Sequence, residues 1–514
     1  MTGETATNVL FVVLDTVRKD HLSVYGYDRP TTPTLAALAE EARVYEHAVA
    51  PAPWTLPVHA SLFTGQYPSE HGATQEDPYL ADATTLAESL SAAGHDTACY
   101  SSNAWITPYT RLTAGFDAQD NFFQVMPGDA LSGPAASLWQ AMNDSDRLRS
   151  VADWLVKAGN RVHEYLAENG GGDTKTPAVI DSTMEFVDGA DDGWFAFVNL
   201  MDAHLPYHPP EPYAEEFAPG VDSTEVCQNS KAYNCGAREI DEDEWDDIRG
   251  LYDAEIRHMD DQLGRLFDWL RERGEYEDTA VVVCADHGEL HGEHGLYGHE
   301  FAIYDELVNV PLLVKHPAVP AGERDDETTV ELVDLYHTVL DSFGAEAAPG
   351  ATPLDRRRSL LCESYRAFDE PVVAADALAA DADAIPRERG AYAFVEYHRP
   401  VVELRQLEAK AEAAGIDLPA DSRFYSRMRA ARSPVGKYVR NERIPDEGYR
   451  LDADPGETEN LADGDDPAVA AARAALADFE ADVGGEWSAV AADDPLADMG
   501  GEAKDRLREL GYLE

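Results

Sequence analysis

Three apolar runs in this chain each lead into side chains able to hold a cation or move a proton. Residues 8–14 run into Asp15, residues 194–200 lead to Asp202, and residues 279–285 run into Asp286 and His287. Continuous β-branched and apolar runs of this length read as buried parallel strands. In an open α/β sheet, ligands gather beyond the carboxyl ends of the strands, so these distant segments are expected to converge on one site. A fourth segment supplies a hydroxyl. In Pro53-Trp54-Thr55-Leu56-Pro57-Val58-His59-Ala60-Ser61-Leu62-Phe63-Thr64-Gly65, prolines punctuate the entry to a helix. Such an entry points backbone N–H groups and the positive end of the helix dipole at an anion, with the Thr55 hydroxyl fixed at the same end. The competing reading is that Thr55 or Ser61 only caps the helix.

The proline-rich segment, continuing through Glu70-His71-Gly72, closely resembles the nucleophile segment of the sulfatases, a family of the alkaline phosphatase superfamily. There Cys or Ser, any residue, Pro, any residue and Arg precede a helix. Asp15-Thr16-Val17-Arg18 resembles the family's first metal motif, and Asp286-His287-Gly288-Glu289 its second. The resemblance implies a first shell of Asp15, Thr55, Asp286 and His287 around one divalent cation, whose Lewis acidity would activate the hydroxyl. It maps a catalytic histidine near the leaving oxygen onto His204, and places His299 near the family's catalytic lysine. His59 stands where the family has its motif arginine, a weaker anchor for the turn than a guanidinium fork. Calcium is the usual sulfatase ion. Thr16 replaces a common second Asp, and that favours a softer ion such as manganese or zinc. A second metal on Asp202, His204 and His299 is the alternative arrangement. His208 and His294 are expected to be structural or to support the metal ligands from outside. The family's Lys and His pair is missing from Tyr100-Ser101-Ser102-Asn103-Ala104-Trp105, where Asn103 offers a hydrogen bond instead. Leu451-Asp452-Ala453-Asp454-Pro455-Gly456-Glu457 resembles the family's C-terminal turn and reads as structural.

Thr55 also bears on the reaction. Sulfatases oxidise Cys or Ser to formylglycine, a route that threonine does not fit. An unmodified Thr alkoxide can attack phosphorus and form a phosphothreonine that water or an alcohol then cleaves. The expected activity is therefore metal-dependent hydrolysis of sulfate or phosphate esters, on small molecules or glycans. A phosphodiesterase or phosphoryl transferase acting on glycan or lipid intermediates is the second reading, and a silent oxyanion-binding protein the third.

Positioning these groups needs a large scaffold. The resemblance implies an α/β fold with a large, mostly parallel central sheet flanked by helices, and a smaller C-terminal α+β subdomain. The expected division is a catalytic domain over 1–350 and a completing portion over 351–514, with a boundary or surface excursion near 376–383. Ile248, Tyr252, Ile256, Met259, Leu263, Leu266 and Leu270 recur at helical spacing before Gly274, which predicts a helix packed on the sheet. Further expectations are a strand at 310–314, a helix over 331–343, short strands at 391–397 and 436–439, and a helix over 468–482.

The 514 residues include 40 Lys and Arg against 98 Asp and Glu, a formal net charge of −58. Nucleic acid is thereby disfavoured as a partner. The acidity is dispersed and only eight of the basic residues are lysine, a composition that resembles salt-accumulating halophiles, where high salt screens the repulsion. No apolar run approaches the length of a membrane span. The polar start lacks a basic n-region, and the chain is expected to be cytoplasmic. Five cysteines without a Cys-x-x-Cys pair imply neither a disulfide framework nor a zinc finger.

Overall fold

The computed structural model describes residues 7–122, 175–191, 193–365 and 389–484. Its centre is an eight-stranded sheet built from β1 (Asn8–Leu14), β2 (Arg43–Val49), β3 (Thr97–Ser101), β4 (Ala118–Asn121), β5 (Phe195–Leu200), β6 (Thr279–Ala285), β9 (Asn309–Lys315) and β10 (Glu323–Glu331). A small hairpin, β7 (Leu290–His291) and β8 (Tyr297–Gly298), lies between β6 and β9 in sequence. The strand order is β10-β2-β9-β6-β1-β5-β3-β4. All pairs are parallel except those of β9, which runs antiparallel to β2 and β6. Helices pack on this sheet, the mixed α/β arrangement expected.

Register explains the convergence of distant residues. Leu14 is level with Leu200 on one side and Ala285 on the other, and Ser101 is level with Asn199. The chain therefore leaves β1, β3, β5 and β6 at one edge, carrying Asp15, Asn103, Asp202 and Asp286 beyond it. Every residue of β1, β5 and β6 is buried, which is why these strands read as unbroken apolar runs.

Helix α1 spans Thr55–Thr64, and the helix expected before Gly274 is α2, Glu242–Arg273. Asp241 caps α2 by accepting from the Glu244 N–H at 3.0 Å, and three acids in its first turn oppose the positive end of the dipole. Gly274 ends it at φ 77°, the left-handed conformation that glycine adopts without strain.

The helix expected over 331–343 is shorter. Glu331 closes strand β10, and α3 spans Asp334–Ser342. Thr329, Val330 and Glu331 pair with His47, Ala48 and Val49 of β2. The Glu331 carboxylate accepts from Phe394 N and Tyr67 Oη, contacts that hold it extended. The excursion expected near 376–383 lies outside the described residues.

The C-terminal portion forms an antiparallel sheet of β11 (Ala393–Tyr397), β12 (Met428–Arg432), β13 (Lys437–Asn441) and β14 (Glu447–Tyr449). Its alternation sorts side chains to two faces. Phe394, Ala431 and Tyr438 meet Val469, Ala472, Leu476 and Phe479 of α4, Pro467–Phe479. Val395, Ala430 and Val439 cluster with Leu290, Leu296, Ile303 and Leu307, the segment on both sides of His299. The Asp-Pro-Gly-Glu turn fastens that segment. Glu457 accepts from the Asp305 N–H and pairs with Lys437 at 2.9 Å, while Asp305 pairs with Lys437 at 3.1 Å and Arg432 at 2.9 Å. No helix among the described residues is long and apolar enough to cross a membrane.

Candidate active site

Thr55 is the first residue of α1, and Trp54, in extended conformation, holds the cap position. Thr55 therefore does not cap the helix, Trp54 makes no side-chain cap bond in its place, and Ser61 lies inside the helix with its hydroxyl 3.1 Å from His71 Nε2. All ten residues of α1 are buried, so the Thr55 hydroxyl is held in the interior at a helix N-terminus. It lies 3.4 Å from His287 Nε2 and accepts from Asn103 Nδ2 at 3.3 Å.

The carboxylates come from the strand ends. Asp286 Oδ1 accepts from the backbone N–H groups of Thr16 and His287 at 3.2 and 2.9 Å. Asp15 Oδ2 accepts from Asn103 Nδ2 at 2.7 Å and Asn199 Nδ2 at 3.2 Å. Asp15 Oδ1 and Asp286 Oδ2 are both buried and find no hydrogen-bond partner among the described residues. Burial, and then the charge of Asp15, push the Asp286 carboxyl well above the usual range. The His287 Nδ1–H donates to Gly288 O at 3.0 Å, which leaves its Nε2 lone pair free to ligate. Burial pushes this imidazole well down, toward the neutral form a metal needs.

Ligand atoms of Asp15, Asp286 and His287 lie within 4.8 Å of one another. Two buried carboxylates with open oxygens, facing one another and an imidazole lone pair, are costly without a counter-ion. The donor set fits one divalent cation, with the Thr55 hydroxyl beside it. Thr16 does not add a ligand: its hydroxyl contacts Asp15 O at 2.7 Å and Ala203 O at 2.6 Å.

The three histidines differ. The His59 Nδ1–H donates to Thr55 O at 2.9 Å, one helical turn back, and burial lowers its pKa to about 4. It is a neutral brace for the first turn of α1. His204 and His299 face one another with ring centroids 5.3 Å apart, and the His299 ring is 4.4 Å from that of His287. Burial opposes a charge on His299, but Glu289, whose Oε1 is 3.0 Å from Nδ1, reverses the balance and raises the pKa to about 9. A protonated imidazole thus stands where the resemblance implies a lysine. Asp202 takes a different place from the one expected with His204 and His299: its Oδ2 lies 2.7 Å from His258 Nδ1, on α2. Its side chain turns to α2, whereas that of His204, in the loop after β5, turns to His299. His208 serves that loop through its backbone N–H, donating to Glu255 at 2.8 Å, and His294 stacks on Tyr304.

In the sequence Asn199 has no role, Glu289 only a place in the second metal motif, and Tyr252 only a place on the apolar face of α2. Tyr252 Oη donates to Thr16 O and accepts from Arg18 N, both at 2.7 Å, and so fixes the turn after Asp15. Glu289 was visible as the acid three residues after Asp286, but its partner His299 is ten residues further on.

A model of the sulfatase family matches residues 7–345. The chain belongs to the sulfatase family. The chain is 28% identical over 396 residues to the multifunctional alkaline phosphatase superfamily protein PehA of Trinickia caryophylli, covering 66% of this chain and 74% of that protein. It is 24% identical over 476 residues to the choline-sulfatase of Rhizobium meliloti, covering 89% and 82%. Its fold matches that of the phosphonate monoester hydrolase of Agrobacterium radiobacter with a TM-score of 0.61, at 21% identity, over 93% of this chain and 95% of that one. Family and relatives together make it a hydrolase of sulfuric or phosphoric esters.

Proposed function

We propose that this sulfatase is metal-dependent and uses unmodified Thr55 as its nucleophile. The observation that carries the reading is the position of the Thr55 hydroxyl, buried at the start of α1 and 3.4 Å from His287 Nε2, beside two carboxylates with unpartnered oxygens. Oxidising a threonine carbinol gives a methyl ketone, so the aldehyde chemistry of formylglycine is closed to it. The direct route is attack by Thr55 Oγ1 on phosphorus or sulfur, forming the new ester bond as the alcohol leaves. His204 or His299 donates the proton that the departing oxygen needs. Water then attacks the same centre and returns the Thr55 hydroxyl. N–H groups at the start of α1 and the protonated His299 offset charge on the ester oxygens.

Asp15, Asp286, His287 and Thr55 would hold a divalent cation, which when bound acidifies the hydroxyl and offsets ester charge. Two carboxylates and one imidazole suit manganese or zinc better than calcium. Phosphate esters suit the threonine route better than sulfate esters, and small-molecule or glycan esters are the substrate class. Phosphoryl transfer to an alcohol acceptor is the second reading, favoured by the same ester intermediate. Residues 1–350 form the catalytic domain in this reading and 351–514 complete the fold. The charge of −58 suits work at high salt.

The test compares wild type with Thr55→Ala and Thr55→Ser on aryl sulfate, phosphate monoester and phosphodiester substrates. Thr55→Ala is expected to lose at least about three orders of magnitude in kcat, as loss of a nucleophile does, and Thr55→Ser to retain turnover. Unchanged kcat in Thr55→Ala would sink the nucleophile role. Mass spectrometry of a quenched reaction is expected to find the transferred group on the Thr55 peptide.

A further inference from the structure

Outside the catalytic centre, a second set of ligand-type side chains meets where β5 ends against α2. One ligand atom from each of Asp202, Glu255 and His258 lies within 4.8 Å of the others. Glu255 and His258 sit three residues apart on one face of α2, and each is only 3% exposed. Asp202 Oδ2 approaches His258 Nδ1 at 2.7 Å, and the Asp202 side chain is 6% exposed.

Glu255 makes this more than a buried ion pair. Its Oε1 accepts one bond, from the His208 N–H at 2.8 Å. Among the described residues no lysine or arginine forms an ion pair with it, and after burial the charge of Asp202 does most to push its carboxyl up. A carboxylate buried this deeply and facing a second carboxylate is destabilised unless a cation or a proton joins it.

We propose that Asp202, Glu255 and His258 bind a second divalent cation, and that the nitrogen and oxygen donors suit zinc or manganese. The site is separate from the one at Asp15, Asp286 and His287, and the proposal stands whether or not Thr55 is the nucleophile. It gives the ion a positioning task. Asp202 is two residues before His204, and the carbonyl of Ala203 between them accepts from Thr16 Oγ1 at 2.6 Å. An ion tying Asp202 to α2 therefore holds the turn that aims His204 at His299.

The experiment counts metal in the full chain. Protein is stripped with a chelator, reloaded with Zn²⁺, dialysed and analysed by inductively coupled plasma mass spectrometry, with circular dichroism to verify folding. Wild type is expected to hold two equivalents, Glu255→Gln one, Asp286→Asn one, and the double variant none. His258→Gln replaces Glu255→Gln if the latter does not fold, with the same expected count. A Glu255→Gln count equal to wild type overturns the proposal and leaves a cluster that shares a proton. A wild-type count of one that vanishes in Asp286→Asn overturns it too, with the catalytic metal intact. A count of one that survives Asp286→Asn and vanishes in Glu255→Gln supports this site and sinks the other.

Discussion

The Asn103 amide donates to Asp15 Oδ2 at 2.7 Å while reaching the Thr55 hydroxyl at 3.3 Å, so one side chain spans the proposed carboxylate ligand and the proposed nucleophile. Its own carbonyl accepts from Trp105 N at 2.9 Å, and its backbone N–H donates to Ser101 Oγ at 2.9 Å. The amide is thereby locked in one orientation. Asn103→Ala frees Asp15 Oδ2 from its closer donor and removes the Thr55 contact. Losses from such supporting partners run to about 10–100-fold in metal affinity or activity. The expected result is a fall of that size in kcat/KM with the thermal transition little changed. Full activity in Asn103→Ala would show that Asn199 alone suffices to hold Asp15.

Much of this arrangement was legible in the sequence because sheet register carries it. Asp15 and Asp286 follow apolar runs that are level in the sheet, so reading strand ends was enough to bring them together. Asn103 was legible only as a hydrogen-bonding amide in place of the missing pair, and Asn199 not at all: the partners of each appear only once β1, β3 and β5 are adjacent. Glu255 and His258 were hidden by the helix pattern itself. Each sits one position before an apolar residue that drew the helix, Ile256 or Met259, and a helix lying deep in a large fold buries an arc wider than its apolar stripe. Strand β10 was missed because its early residues are charged and mostly exposed, which breaks the apolar signal, and its ladder to β2 shifts register between Asp325 and Thr329.

His71 predicts how stability depends on pH. Its Nδ1 accepts from the Ala73 N–H at 3.0 Å and its Nε2–H donates to Ser61 Oγ at 3.1 Å, an arrangement open only to the neutral ring. Burial, and then repulsion from His398, hold its pKa down to about 3. The unfolded chain, with a pKa near 6.5, therefore takes up a proton that the folded chain refuses. Stability from this group is complete above about pH 6.5 and declines toward pH 3 at up to about 1.4 kcal/mol per pH unit. Urea unfolding of wild type and His71→Gln at pH 7, 6, 5 and 4 is expected to show the steeper decline in wild type. Parallel curves would mean that His71 gains its proton without unfolding.

The Glu457 carboxyl fastens the C-terminal turn to the segment that carries His299. It accepts from the Asp305 N–H and pairs with Lys437, and the Lys437 side chain is fully buried. Glu457→Ala leaves that ammonium with Asp305 alone and strips the Asp305 N–H of its acceptor. Removing one partner of a buried pair is destabilising by about 3–5 kcal/mol, and the loss here falls in the same range because the remaining acceptor, Asp305, already serves Arg432. Asp305 is six residues beyond His299, and the intervening Ile303 packs on the C-terminal sheet, so loosening the turn also loosens the histidine. The expected outcome is a lower denaturation midpoint together with reduced kcat and an unchanged metal count at Asp15, Asp286 and His287. Glu457→Gln retains an acceptor for the Asp305 N–H and is expected to recover part of both losses. A stability change below about 0.5 kcal/mol in Glu457→Ala, the size of an ordinary surface substitution, would mean that Asp305 and Arg432 hold the segment without the turn.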